Sequence, residues 1–209
     1  MCIRDSFYDT SAFRSSDHDP VLVGVDLTPT ATVNLVDIND FHGRIDANTP
    51  QFAGTVEQLR AQYGEANTLF LSSGDNIGAS PFASASQDDQ PTIDVLNALD
   101  LKASAIGNHE LDRGFDDLVN RVVGSGPNAK FAYLGANVYQ KGTTTPALPE
   151  YAITTVAGLR VGVIGTVTQE TPALVSPGGI SGLDFGDPVE ATNRVAAQLS
   201  DGNPANGEA

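Results

Sequence analysis

Three times in the first half of this chain, a short apolar run stops at a cluster of Asp, Asn, His and Gly, and a helical pattern follows. Val33–Ile38 runs into Asp40-Phe41-His42, Thr68–Leu71 into Gly74-Asp75-Asn76, and Ala103–Ile106 into Gly107-Asn108-His109-Glu110. Between them, Phe52, Val56, Leu59 and Tyr63 recur at helical spacing over 51–63, with Gly64 placed as a C-terminal cap. A second helix is expected over 91–99, with Pro91 in its first turn. Phe115, Leu118, Val119, Val122 and Val123 mark a third, and Tyr63 and Phe115 are read as core. Strand and helix alternating in this way predict an α/β fold, a sheet covered by helices on both faces. Such sheets bind ligands beyond the carboxyl ends of their strands, so the three clusters should converge on one rim.

The second half reads differently. Phe131–Val138 is a strand candidate, and Tyr151–Val156 and Leu159–Ile164 flank Ala157-Gly158 as a β-hairpin. Asp187-Pro188-Val189-Glu190 opens a last helix, with a capping-box pattern and proline at the first helical position. No internal repeat is present.

The convergent residues are those that hold metal ions. The chain has three histidines, His18, His42 and His109, and each stands beside an acid or amide. Imidazole and carboxylate are the donors that borderline and hard divalent cations prefer. In an extended backbone, Asp40 and His42 would project to the same side and grip one ion. Each motif also has a plain structural reading: Gly74-Asp75 as a turn, Asn108 as a helix cap. Their shared place at strand ends favours a metal-dependent hydrolase. Composition narrows the substrate. The formal net charge of -15 gives no long-range attraction to nucleic-acid phosphates, so a phosphate ligand has to be held locally by metal. The lone Cys2 rules out an intrachain disulfide, and no apolar run approaches 18 residues.

Ile38-Asn39-Asp40-Phe41-His42-Gly43-Arg44, Gly74-Asp75-Asn76-Ile77-Gly78-Ala79-Ser80-Pro81 and Gly107-Asn108-His109-Glu110-Leu111-Asp112-Arg113-Gly114 resemble the calcineurin-like metallophosphoesterases, and within them the 5′-nucleotidase branch. The resemblance covers about residues 33–199 and includes Asp187–Ala191. It implies a metallophosphoesterase sandwich, with mixed sheets flanked by helices, and two divalent ions of zinc, manganese, iron or magnesium. It assigns Asp40 and His42 to the first ion, Asp75 to a bridge between both, and Asn108 to the second. His109 would contact the phosphate, oriented by Asp112. The substrate would be a small nucleotide or related phosphoester. Nucleotide-sugar hydrolysis, cyclic phosphodiester hydrolysis and a non-catalytic phosphoesterase-like binding module remain alternatives.

The family's later histidine ligands, and its C-terminal nucleotide-binding domain, have no counterpart after His109. Residues 33–209 are therefore expected to be an incomplete catalytic domain, inactive by itself, from a secreted, cell-surface or periplasmic parent. Arg14–Val21, with Asp17 and His18 at its centre, is similar to the end of an endonuclease/exonuclease/phosphatase domain. There Asp17 would be an acidic or orienting residue and His18 the base, and any nucleic-acid partner would belong to that domain. Residues 1–27 are read as its remnant, with Met1–Ser6 foreign to the rest of the chain, and 28–32 as a linker.

Overall fold

A computed structural model of the chain describes residues 31–124 and 128–207. Asp17, His18, the strand expected at Val21–Leu27 and most of the linker lie outside the described residues.

Four parallel strands form the main sheet in the order β1 (Asn34–Ile38), β2 (Thr68–Ser72), β3 (Ala103–Ala105) and β4 (Ala132–Leu134). Helix α1 (Thr49–Tyr63) joins β1 to β2. The short α2 (Phe82–Ala85) and α3 (Gln90–Ala98) join β2 to β3. A turn of helix α4 (Phe115–Asp117), running on into a π-helical stretch over Leu118–Gly124, joins β3 to β4. The strand order advances one way, and right-handed crossovers then put every connecting helix on the same side. Burial agrees. Val36, Phe70 and Tyr133 share one face by register, and they pack with Val56, Ile93, Leu96, Leu118 and Val122 of the helices in a single core.

The other face is covered differently. Strands β6 (Tyr151–Val156) and β7 (Leu159–Ile164) form the expected hairpin. A Cβ on Gly165, just after β7, would press on Leu134 and on Ala105 Cα at 3.0 Å, while Ala157 N donates to Ala66 O at the other end. Helix α6 (Pro188–Leu199) then packs Ala191, Val195 and Leu199 against Tyr151, Ile153 and Ile164 of the hairpin. Helices thus lie directly on one face only, and a hairpin backed by a helix takes the other. At the edge strand β1, that second face leaves Leu35 63% exposed.

Three local readings need correction. Phe131–Val138 is interrupted: Gly135-Ala136-Asn137 separates β4 from β5 (Val138–Gln140), which pairs antiparallel with β8 (Leu183–Phe185). The buried Asn137 makes the break, its amide accepting from Val167 N and donating to the Val167 and Gly186 carbonyls. The 115–123 segment is wound mostly as a π-helix, which still delivers Leu118 and Val122 to the core. Tyr63 is 47% exposed, because it is the last residue of α1 and the chain turns at Gly64. Phe115 packs against the core as expected. Asp187 caps α6, its carboxylate accepting from Val189 N and Glu190 N. The short α5 (Thr171–Leu174) and β8 carried no periodic signal.

Candidate metal centre

The three strand ends do meet. His42, Asp75 and His109 each offer one ligand atom, and these atoms lie within 4.8 Å of one another. Asp40 joins them through its Oδ1, 3.4 Å from His42 Nε2.

Backbone bonds between loops build this convergence. The pairing of β1 with β2 continues past both strands: Ser73 N donates to Ile38 O, Asp40 N to Gly74 O, His42 N to Asp75 O and Gly43 N to Asn76 O. Asp40, His42 and Asp75 all adopt left-handed backbone, with φ of 53°, 46° and 53°. Asp40 and His42 therefore do not converge through an extended strand, as their spacing suggested. They converge through two left-handed turns that the cross-loop ladder holds in place. Phe41 between them points away and packs on Phe52 at 5.3 Å, pinning the loop to α1. The second and third loops touch without room for a side chain. A Cβ on Gly74 would lie 2.7 Å from Gly107 N, and one on Gly107 would overlap Asp75 Oδ1.

The imidazoles are set by their partners. His42 Nδ1 lies 2.9 Å from Gly78 O. A carbonyl can only accept, so Nδ1 carries a proton, and Nε2 is the ring nitrogen turned toward Asp40. His109 Nδ1 lies 2.9 Å from Asp112 Oδ2, an interaction that fixes the ring on its other edge. Partial burial disfavours the imidazolium, but the Asp112 hydrogen bond and the charges of Asp112, Asp75 and Glu110 outweigh it, and the His109 pKa is raised. The two rings stand edge to face, 4.8 Å apart. Asp75 Oδ1 accepts from His109 N at 2.8 Å, and Oδ2 has no partner among the described residues. Asn108 precedes the 3-10 turn His109–Leu111, but its side chain makes no capping bond there. This donor set of imidazole nitrogen and carboxylate oxygen fits divalent cations.

Glu110 does not join the ligands. Its place beside His109 suggests an oxygen donor, yet it is 2% exposed and faces backbone. Its Oε2 accepts from Asp75 N and Gly107 N, and its Oε1 from Asn76 N and, at 3.4 Å, Ile77 N. Burial pushes its carboxyl up to about 7, aided by the Asp75 charge and opposed by the amides of Gly107, Asn76 and Asp75. Asn76, fully buried, accepts from Ser72 Oγ and donates to Ser104 Oγ. Sequence reasoning missed both roles. The available signal was a charged residue directly before the apolar Leu111 in a short turn.

A four-stranded parallel sheet carrying a His/Asp/His cluster at its carboxyl rim fits a metal-dependent hydrolase. No family model matches the chain. Individual proteins do. Over 191 residues it is 32% identical to endonuclease YhcR of Bacillus subtilis, covering 80% of this chain and 16% of that protein. Over 205 residues it is 32% identical to cell wall protein Lmo0130 of Listeria monocytogenes, covering 81% and 26%. It is 31% identical to a 5′-nucleotidase of Vibrio cholerae over 177 residues, covering 81% and 31%. Among solved structures, the calcineurin-like phosphoesterase YfkN of Bacillus subtilis superposes with a TM-score of 0.69 at 25% identity, covering 83% of this chain and 59% of that one. The chain belongs to the calcineurin-like metallophosphoesterases, in their 5′-nucleotidase branch, and corresponds to the N-terminal part of that family's fold. It spans 16% to 31% of the length of these three curated relatives.

Proposed function

We propose that this chain contributes the first half of a metal site to a phosphoesterase that hydrolyses nucleotide phosphate monoesters. The observation that carries the reading is the meeting of His42, Asp75 and His109 ligand atoms within 4.8 Å at the ends of three adjacent strands.

The residue roles follow from what each side chain has free. Asp40 and His42 hold one divalent ion, since Oδ1 and Nε2 face each other across 3.4 Å. Asp75, with one oxygen unpartnered among the described residues, would help hold a second ion, and Asn108 would be the other residue on that side. Divalent ions, when bound, supply positive charge for the phosphate and acidify a water. Among the described residues His109 Nε2 has no partner, and Asp112 favours the charged form of the ring. It donates a proton or hydrogen bond to the phosphate or the leaving oxygen. Asp112 keeps the ring turned for that task. In the described residues two imidazoles reach the site, so the 209-residue chain alone is expected to bind metal weakly and turn over slowly. Residues 1–27 are read as the end of a nuclease-like domain, and the parent as a protein of the cell surface or periplasm. Among the described residues, no helix is long and apolar enough to cross a membrane.

The test assays the gene product, read to its natural stop codon, against nucleoside monophosphates with manganese or zinc. Turnover abolished by a chelator and restored by metal is expected. Absence of turnover with every divalent metal would overturn the reading.

A further inference from the structure

We propose that Glu110 is a positioning residue of this metal centre, a carboxylate clamp that sets the distance between the loop carrying Asp75 and the loop carrying Asn108 and His109. The inference rests on the metal-site reading under Proposed function. Three observations carry it. First, the clamp spans loops: a single oxygen, Oε2, accepts from Asp75 N at 2.9 Å and from Gly107 N at 2.6 Å, so it joins the β2 and β3 loops at one point. Second, the other oxygen takes the next amide, Asn76 N, at 2.7 Å. Asn76 is locked in turn by Ser72 and Ser104 on the strands beneath. Third, Glu110 has no cationic partner among the described residues and is 2% exposed, so its acceptor capacity is spent on these amides.

Chemistry explains why a carboxylate is needed. Each oxygen receives N–H donors, and no donor on Glu110 is called for. An amide in its place would turn an NH2 toward one pair of N–H groups, and that pair would be left unsatisfied in a buried site. The loops are packed through Gly74 and Gly107 without slack. Losing one pair of bonds would therefore move Asp75 relative to Asn108 and His109. Groups that orient ligands without touching the metal typically change affinity by about 10–100-fold.

The test compares wild type with Glu110→Gln and Glu110→Asp. Manganese affinity of the gene product, read to its natural stop codon, is measured by calorimetry at a temperature where circular dichroism shows each protein folded. Glu110→Gln is expected to weaken binding by about tenfold or more. Glu110→Asp, which keeps the carboxylate on a shorter arm, should recover part of the loss. Arg60→Met serves as the matched control. It removes buried bonds to the Leu99 and Asp100 carbonyls at the end of α3, away from the three loops, and should lower melting temperature without changing the manganese affinity of the folded protein. Equal affinity of wild type and Glu110→Gln would overturn the proposal, as would an equal loss in Arg60→Met. If Glu110→Gln does not fold, hydrogen exchange in wild type decides. The Asp75, Asn76 and Gly107 amides should be protected together and lose protection together in Glu110→Asp. Fast exchange of these amides in wild type would overturn the clamp. His42→Ala separates the two readings: no loss of manganese affinity there would refute the metal site itself, whatever Glu110 does.

Discussion

The metal rim and the β6–β7 hairpin both use left-handed backbone on residues with side chains, and they hold it by opposite means. In the hairpin, Ala157 and Gly158 have φ of 53° and 76°, the pattern of a two-residue type I′ turn. The ladder of six residue pairs from Tyr151↔Ile164 to Val156↔Leu159 imposes that turn locally. At the rim, Asp40, His42 and Asp75 are left-handed with no hairpin to impose it. Their conformations are held by bonds from residues more than 30 positions away, through the Asp40–Gly74 and His42–Asp75 ladder and the Glu110 clamp. Left-handed backbone costs a residue with a Cβ roughly 1–2 kcal/mol. In the hairpin that cost closes a turn. At the rim it aims the side chains proposed as ligands.

The contrast is broken most severely by removing charge where the rim converges. Asp75→Asn keeps the shape and an oxygen for His109 N, but it loses the charge and the carboxylate proposed to hold metal. Manganese affinity should fall by more than about 100-fold, beyond the range for orienting groups. Calorimetry checks this, and an unchanged affinity would remove Asp75 from the site. Thr154→Ala, in the hairpin, should leave affinity as it is.

Next in size is a steric wedge between the second and third loops. Gly107→Ala drives a methyl into Asp75 Oδ1 and the Asp75 backbone N. Overpacking of this kind costs about 1–3 kcal/mol. Urea denaturation should show that loss, and metal affinity should fall with it because Asp75 has to move. Stability lost with affinity intact would mean that the loops adapt independently.

Much of the molecule was legible in its sequence. The three strand ends, the hairpin with its Ala157-Gly158 turn and the capped helix at Asp187 could be read directly, because each depends on residues close in sequence. The meeting of Asp40, His42, Asp75 and His109 on one rim followed from a general property of parallel sheets. What failed was long-range. Nothing near Tyr63 says that α1 ends with its ring in solvent. Nothing near Asn137 says that its amide will serve Val167 and Gly186. Glu110 has no role that its sequence neighbours reveal. Only the fold shows it turned inward to amides 33 to 35 residues earlier. One-sided helix packing was legible only given the strand order.

A smaller effect concerns His109. Its raised pKa means that the imidazolium binds its proton more tightly in the folded chain than in the unfolded one. That contribution is fully present below the ordinary value of 6.5 and is lost as pH rises through the raised value. Asp112→Asn removes the charge that favours the cation and leaves at most a weaker, neutral acceptor for His109 Nδ1. In the metal-free chain, NMR titration should place His109 above 6.5 in wild type and lower in the variant. The gap in melting temperature should be widest in mild acid and close toward alkaline pH. A gap that widens with pH would mean that Asp112 acts on something other than the His109 charge.

The smallest effect falls on the hairpin, and it sharpens the comparison because it has the opposite sign. Ala157 is left-handed by demand of the turn, and alanine has no side-chain polar group to ease that conformation. Asparagine does, and Asn-Gly is the preferred pair of a type I′ turn. Ala157 N already donates to Ala66 O, and asparagine keeps that N–H. Ala157→Asn should therefore stabilise the chain by about 0.5–1 kcal/mol, a typical gain for matching a residue to its backbone. Manganese affinity should not change. The equivalent change at the rim, Asp40→Asn, is equally compatible with left-handed backbone but removes a ligand charge, so affinity should drop. If Ala157→Asn destabilised the chain, the turn would not be the element that sets the hairpin's backbone. If Asp40→Asn kept full affinity, the rim's left-handed residues would be serving the fold rather than the ion, and the difference between the two regions would disappear.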